Sequence, residues 1–313
     1  MTTSTRKAPV AQPPDLIAGS ATGSIFDLGY HGYDGPRLGR RHAISTLFAQ
    51  SLKWTFGIGR GGRAKIAPFV LAGLTLLPAV LAVGIRALAG PAAERMSPIT
   101  PQNYLTYVQT FIAFFVTAQA PELLGRDQRS HILTLYFSRA LERTDYALAK
   151  YGALVCALAL VLLVPQAVLL LGMIFASVDL GAGLGDALPL VLPILLSTVV
   201  AAAFFSGIAL AIAAFIPRRA FSAGAVVATF LVLSGFAQIL VVRGKLHDPL
   251  RYVALLDPFA LLDGLASTLF GVPGRSASVT DSGIDPAIFA VGACVVAVAT
   301  PLVIVARYRR IEA

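Results

Sequence analysis

Two glycine-rich segments have residue types that could do chemistry. Residues 57–62 (GIGRGG) match the GxGxxG pattern, which holds dinucleotide phosphates only between a strand and a helix of a βαβ unit. Here apolar helical patterns flank the segment, so it is interpreted as a flexible basic hinge. Residues 183–186 (GLGD) match the GxGD element of intramembrane aspartyl proteases, which need a second facing carboxylate. The neighbouring apolar segments supply none, so Asp186 is expected in a loop turn.

Other candidates for catalysis or metal binding are scattered. The four histidines have no metal-ligand spacing, and Cys156 and Cys294 lie inside apolar segments, where they are expected as small buried hydrophobic residues. No Gly-Lys-Ser/Thr phosphate loop occurs, so the chain is not expected to hydrolyse ATP. The sequence therefore predicts no catalytic residue, no metal and no cofactor bound by this chain.

Composition indicates a membrane protein. Of the 313 residues, 57% are hydrophobic and 13% are charged, against about 25% charged in soluble domains. The net charge of +9 comes from Lys and Arg beside alternate ends of apolar runs, as membrane topology requires. They form no basic face interleaved with aromatics, so nucleic-acid binding is not expected.

The elements that must position any site are helices, and the fold class is all-α. Apolar runs of bilayer length predict six transmembrane helices with ends near 66–88, 103–123, 148–176, 188–216, 220–242 and 286–306. The lysines and arginines concentrate on one side of these spans, which places both termini in the cytoplasm of a bacterial cell (plasma) membrane protein. Residues 1–41 are polar and rich in Gly and Pro, and predict a disordered cytoplasmic tail with no cleavable signal.

Two further segments are apolar without spanning. Residues 42–65 predict an interfacial elbow helix and the basic hinge, ahead of a transmembrane domain over 66–313; an ordinary amphipathic helix packed on protein is the alternative. Residues 255–271 are too short to cross and contain Asp257 and Asp263. A re-entrant dip into the outer leaflet and a helix on the outer surface both remain open.

Polar residues within the predicted spans have two interpretations. Four glutamines are possible pathway-lining residues: Gln109, Gln119, Gln166 and Gln238. Hydrogen bonds between helices are the alternative. Small residues at four-residue spacing, centred on Gly207 and Gly224, predict close helix packing.

The loop from Glu122 to Lys150 is the most informative segment. A charged start leads into an apolar patch over 132–137, and a second basic cluster follows. This pattern predicts a short helix along the membrane with an exposed polar end for a cytosolic partner. The alternative is a membrane-hugging connector without a partner.

This loop carries a family resemblance. Arg126-Asp-Gln-Arg-Ser130, then LYFSRAL over 135–141 and DYALAK over 145–150, resemble the loop after the second span in type-two ATP-binding-cassette (ABC) permeases. The tail over 27–41 (DLGYHGYDGPRLGRR) is similar to that of an actinobacterial subgroup. His131 stands where the family commonly has Gly, and Ala140 where Pro commonly follows the Arg.

The resemblance implies the permease subunit of an ABC exporter, with two such chains per pore, as a homo- or heterodimer. Two cytosolic ATPase subunits would bind ATP and Mg²⁺. The implied coupling loop contains Glu122, Arg126, Asp127, Arg129, Ser130, His131 and Arg139. Two rival functions are a non-transporting structural or regulatory component of an ABC complex and a stand-alone secondary carrier; few buried ionisable groups disfavour the carrier.

Overall fold

A computed structural model describes residues 38–89, 99–129, 136, 141–177, 179–244 and 250–310. Every regular element in those ranges is helical, and no strand occurs in them. Five helices are long and apolar enough to cross a membrane: Arg63–Leu88, Arg143–Ala176, Leu180–Phe215, Arg219–Val242 and Pro286–Arg309. The chain is thus an all-helical protein with the span composition of a multi-pass membrane protein.

The helices follow the expected order, with shifted ends. In chain order they are α1 (Gly39–Thr55), α2 (Arg63–Ala89), α3 (Tyr104–Ala120), α4 (Arg143–Ala176), α5 (Leu180–Phe215), α6 (Arg219–Val227, a π-helical turn at Ala228–Val232, then Leu233–Gly244), α7 (Pro258–Phe270), α8 (Ala277–Thr280) and α9 (Pro286–Arg309). A second π-helical turn, Pro121–Gly125, extends α3 into a short helix, Arg126–Arg129. A 3₁₀-helix, Leu250–Leu256, leads into α7.

Side-chain caps explain two of the shifted or uncertain starts. Asp179 accepts a hydrogen bond from the Gly181 amide, so α5 begins at Leu180 and includes the GLGD segment. The expected loop turn at Asp186 is therefore wrong. Glu142 and Asp145 form a reciprocal capping box, which starts α4 at Arg143, five residues before the predicted span.

α3 lies at the centre of the structure. It has 17 residues, and Tyr104, Val108, Ile112 and Phe115 are fully buried within it. It packs against α2, α5, α6 and α7. At 17 residues it is shorter than the five long helices, each of which has at least 24 residues.

Hydrogen bonds show which helix ends lie together. Arg129 donates to the Pro217 carbonyl (2.9 Å), which joins the end of α3 to the end of α5. Arg143 donates to the Arg309 carbonyl (3.1 Å), which joins the start of α4 to the end of α9. We call this the basic end, comprising residues 60–65, 121–129, 142–150, 217–219 and 307–310.

α7 is buried rather than exposed. All ten residues from Pro258 to Ser267 are buried, and the helix packs chiefly on α9 and α5. A helix lying on the outer surface, one of the two expectations for 255–271, does not fit this burial. Asp263 accepts hydrogen bonds from Thr106 Oγ1 (2.8 Å) and from the amides of Arg275 (2.6 Å) and Ser276 (2.7 Å).

The expected close packing at Gly207 and Gly224 and the expected burial of the two cysteines can be compared with the structure. A Cβ added at Gly207 would lie 1.9 Å from Thr300 Oγ1, so the predicted close approach is confirmed there, between α5 and α9. Gly224 has nothing within 4 Å of that position. Cys156 and Cys294 are free and exposed, so the expected burial is wrong; an apolar surface that faces lipid looks the same in sequence as one that faces protein.

Candidate functional site at the basic end

Glu122 joins three segments at the basic end. Its carboxylate forms ion pairs with Arg60 of the hinge and with Arg219 at the start of α6, the second at 2.7 Å. Burial alone would raise the pKa of Glu122, but the hydrogen bond from Arg60 and the charges of Arg219, Arg60 and Arg129 outweigh burial and hold the pKa below its ordinary value. Glu122 is therefore ionised at neutral pH, and its ion pairs connect the hinge to the start of α6.

Asp127 forms a buried ion pair. Lys150 Nζ lies 2.9 Å from its Oδ2, and the two side chains are 1% and 4% exposed. The Tyr146 hydroxyl donates to the same carboxylate at 2.8 Å. Asp127 was expected at an exposed polar end of the loop, and this expectation is wrong: the residue lies inside the helix bundle, where it pairs with a lysine of α4.

Aromatic rings surround this ion pair. Lys150 Nζ lies 5.4 Å from the centre of the Trp54 ring, and the Arg126 guanidinium lies at the same distance from that ring. The Tyr146 ring is 5.3 Å from that of Tyr308 on α9. Aromatic faces stabilise nearby cations, so Trp54 links α1 to both Arg126 and Lys150.

The two residues that follow Asp127 attach the segment to other helices. Gln128 Nε2 donates to the Tyr308 hydroxyl at 2.8 Å, and Arg129 donates to the Pro217 carbonyl. Arg126 and Arg129 are exposed. The Arg126–Arg129 helix therefore exposes two arginines, of which Arg129 also binds the end of α5. Asp127 and Gln128 attach the same helix to α4 and α9.

α1 is attached to the same end. Arg40 forms ion pairs with Glu142 and with Asp145, the second at 2.7 Å, and these carboxylates raise the pKa of Arg40. Leu47, Ser51 and Thr55 are buried in α1, which packs against α4. The helix begins three residues before the expected boundary of the tail, and the packing on α4 agrees with the alternative of an amphipathic helix on protein.

Part of the expected coupling loop lies outside the described residues, namely Ser130, His131, Arg139 and most of the apolar patch. Tyr136 is described: its ring is half-buried and lies 5.7 Å from that of Tyr146. The four described members, Glu122, Arg126, Asp127 and Arg129, all lie at the basic end, where Asp127 is buried.

The four glutamines are distributed along the bundle. Gln119 lines a pocket of about 360 Å³ with Arg60, Arg63, Glu122 and Arg219. Gln166 donates to the Pro101 carbonyl (3.2 Å), and Gln238 to Ser234 (3.0 Å) and Asp257 (3.2 Å), so these two make hydrogen bonds between segments. Gln109 Oε1 is buried without a hydrogen-bond partner. Only Gln119 therefore joins the site.

The sequence did not reveal the residues that contact the polar side chains of the loop. These residues are Arg40, Trp54, Arg60, Tyr146, Lys150, Arg219 and Tyr308. One signal was available. Lys150 is a cation at the start of a long apolar helix, and a cation there requires a counter-charge.

No group of three or more His, Cys, Asp or Glu residues in the described ranges could hold a metal ion. No protein-family model and no curated protein matches the chain. The arrangement itself is suited to recognition: exposed arginines stand on a segment whose buried charges are fully paired.

Proposed function

We propose that the chain is the membrane-spanning permease subunit of an ABC exporter, coupled to a separate cytosolic ATPase subunit. The observation that carries this proposal is the Arg126–Arg129 helix. Two exposed arginines lie on a short segment that is attached through Gln128 and Asp127 to α9 and α4. A partner that moves this segment would therefore move long helices directly. The resemblance of residues 126–150 to ABC permeases supports the same function.

The proposed architecture has six spans and an elbow helix. α3 supplies the sixth span, since it is apolar, enclosed by other helices and followed by the charged segment at the basic end. α1 lies at the membrane interface, with Trp54 at headgroup depth, as is usual for tryptophan. The basic end then faces the cytoplasm with both termini. The α7 region is a re-entrant segment, enclosed by other helices.

Two further parts of the proposal concern partners. A second permease subunit completes the pore, and ATP and Mg²⁺ bind the ATPase subunit. Because the chain has no phosphate loop, the purified chain should show no ATP turnover above a detergent blank. Robust turnover by the chain alone would contradict the permease function.

A coupling experiment tests the proposal directly. Arg126→Glu with Arg129→Glu reverses both exposed charges and should release the ATPase or uncouple hydrolysis from export in inverted vesicles, since such contacts set register and specificity. Insertion and folding should persist, because the contact of Arg126 with Trp54 and the hydrogen bond of Arg129 to Pro217 contribute about 0.5–1.5 kcal/mol each. The matched control reverses Arg309 and Arg310, which are exposed at the same end. Full ATPase binding and full transport by the loop variant would show that the segment is only a connector.

Topology is tested by labelling single cysteines with an impermeant reagent, after Cys156 and Cys294 have been replaced. Labels at residue 20, within 217–220 and at 313 should be protected in intact cells, and labels near 95, 182 and 278 should react. Strong outside labelling at 20 or 313 would overturn the six-span arrangement.

A further inference from the structure

A basic cleft lies where the glycine-rich hinge meets α2. Its volume is about 690 Å³, and its lining includes Trp54, Arg60, Arg63 and Arg126 together with hinge backbone. No acidic residue lines it. Glu122 lines a neighbouring pocket, which shares Arg60, Arg63 and Ala64 with the cleft. Arg60 is already paired with Glu122, and the guanidinium groups of Arg63 and Arg126 add further positive charge to the cleft, which favours an anionic ligand.

The hinge glycines keep the cleft open. A Cβ added at Gly59, Gly61 or Gly62 would meet nothing within 4 Å, so side chains there would project into open space. Gly57 differs, because a Cβ there would lie 2.7 Å from the Ala64 carbonyl oxygen; its φ of +69° is left-handed, as is that of Gly59 at +81°. Gly57 therefore fixes the hinge against the first turn of α2, while the later glycines leave room beside the arginines.

An apolar groove begins next to the cleft. It has a volume of about 500 Å³ and lies between α2 and α4, where its lining includes Phe56, Phe69, Leu76, Leu160 and Pro165. Phe56 follows Trp54 by two residues. On α2, Phe69 follows Ala64 of the cleft by five residues, or about 7.5 Å of helix rise. The groove is lined almost entirely by apolar side chains of two candidate membrane spans.

We propose that this cleft and groove together bind one anionic phospholipid, with its phosphate headgroup among Arg60, Arg63 and Arg126 and an acyl chain in the groove. Charge complementarity assigns the headgroup, since basic pockets between membrane helices select anionic lipids. The adjoining groove assigns a lipid rather than free phosphate, because a free ion would leave the apolar lining unused. Trp54 lines the cleft, two residues before Phe56 of the groove, and tryptophan is common at the membrane interface. The proposal depends on the chain spanning a membrane and not on the ABC function.

Native mass spectrometry of the purified full chain in detergent tests this site. The probes are phosphatidylglycerol and phosphatidylcholine, with inorganic phosphate and glycerophosphoglycerol as soluble competitors. The wild-type chain should retain one phosphatidylglycerol in preference to phosphatidylcholine, and neither soluble competitor should displace it. Displacement by either soluble compound would show a site for free phosphate and overturn the lipid assignment.

Two variants locate the binding. Arg63→Gln with Arg126→Gln should weaken phosphatidylglycerol binding about tenfold or more, because charge-assisted hydrogen bonds to phosphate are lost. Gly62→Leu should weaken it similarly with every charge retained, because Gly62 lines the cleft and a larger side chain there takes up its space. The backbone at Gly62 is not left-handed, and an added Cβ has no protein atom within 4 Å. Gly62→Leu keeps the test decisive if the double variant fails to fold.

The control is Arg218→Gln with Arg310→Gln, which removes the same charge from exposed positions that do not line the cleft. This control should bind like the wild type. An equal loss in the control would indicate general surface attraction, and unchanged binding in the Gly62→Leu variant would place the lipid elsewhere; either result overturns the proposal. No ATPase or nucleotide takes part, so failure here and failure of the coupling experiment are distinguishable.

Discussion

Replacing Lys150 with Met should destabilise the protein far more than its charge alone suggests. The variant leaves the Asp127 carboxylate buried, at 4% exposed, with the Tyr146 hydroxyl as the donor that remains. Breaking a buried ion pair by removing one partner costs about 3–5 kcal/mol of unfolding free energy, because the remaining charge is uncompensated. Lys65→Met, at an exposed position in the first turn of α2, should change stability by less than about 0.5 kcal/mol.

The reciprocal change should cost less. In Asp127→Asn the buried Lys150 cation keeps the faces of Trp54 and Tyr146, at 5.4 and 5.5 Å, and each contributes about 0.5–2 kcal/mol. The double variant Asp127→Asn with Lys150→Met buries no charge, and its cost should fall below that of Lys150→Met alone. The cycle therefore predicts a favourable coupling energy of about 2 kcal/mol or more.

Unfolding in a denaturing detergent titration measures these costs. Trp54 is the only tryptophan in the chain and lies beside Lys150, so its fluorescence reports on this site directly. The emission of Lys150→Met should change in the folded state, whereas that of Lys65→Met should not. Equal stability of Lys150→Met and Lys65→Met would refute a buried pair between Asp127 and Lys150. Additive costs of Asp127→Asn and Lys150→Met in the double variant would refute it as well.

Three further predictions concern other contacts. Gly207→Ala should destabilise the protein by about 1–3 kcal/mol in the same titration, because its Cβ would lie 1.9 Å from Thr300 Oγ1. Gly224→Ala, whose Cβ would have nothing within 4 Å, should be neutral or stabilising. Equal effects of the two variants would contradict the close packing of α5 on α9. Asp263→Ala should cost at least about 1–3 kcal/mol, since it leaves two backbone amides and a threonine hydroxyl without their acceptor, and retained stability would argue against the network. Because the pKa of Glu122 is lowered in the folded state, its contribution to stability is fully present above the ordinary glutamate pKa and is lost as the pH falls through the lowered value; Glu122→Gln should flatten this part of the pH profile of unfolding.

The sequence predicted the long helices well because each is a continuous apolar run of bilayer length. It placed their ends less well, because caps decide them: Asp179 and Glu142 extend α5 and α4 beyond the apolar runs. Cys156 and Cys294 show a related limit. Hydropathy reports that a position is apolar, and it does not say whether lipid or protein faces it.

The sequence predicted a coupling segment but not the partners of its charges. The charge pattern over 122–129 could not show that Asp127 is buried while Arg126 and Arg129 are exposed. That difference depends on Lys150, which is 23 residues further along the chain and arrives beside Asp127 only after α4 packs on the bundle. Long-range charge pairing of this kind leaves no local period in the sequence.

The attachments of residues 121–129 determine where a force on this segment would be transmitted. Glu122 holds the start of α6 through Arg219, Asp127 holds α4 through Lys150, and Gln128 holds α9 through Tyr308. A cytosolic partner bound to the exposed arginines would act on three long helices through contacts of 2.7–2.9 Å. Only the link at Asp127 is a charge pair removed from water, so it resists rearrangement most strongly. Within the proposed exporter, α4 should therefore move together with residues 121–129. Of the three helices, α6 should change its position relative to these residues most easily, because the exposed Arg219 holds it.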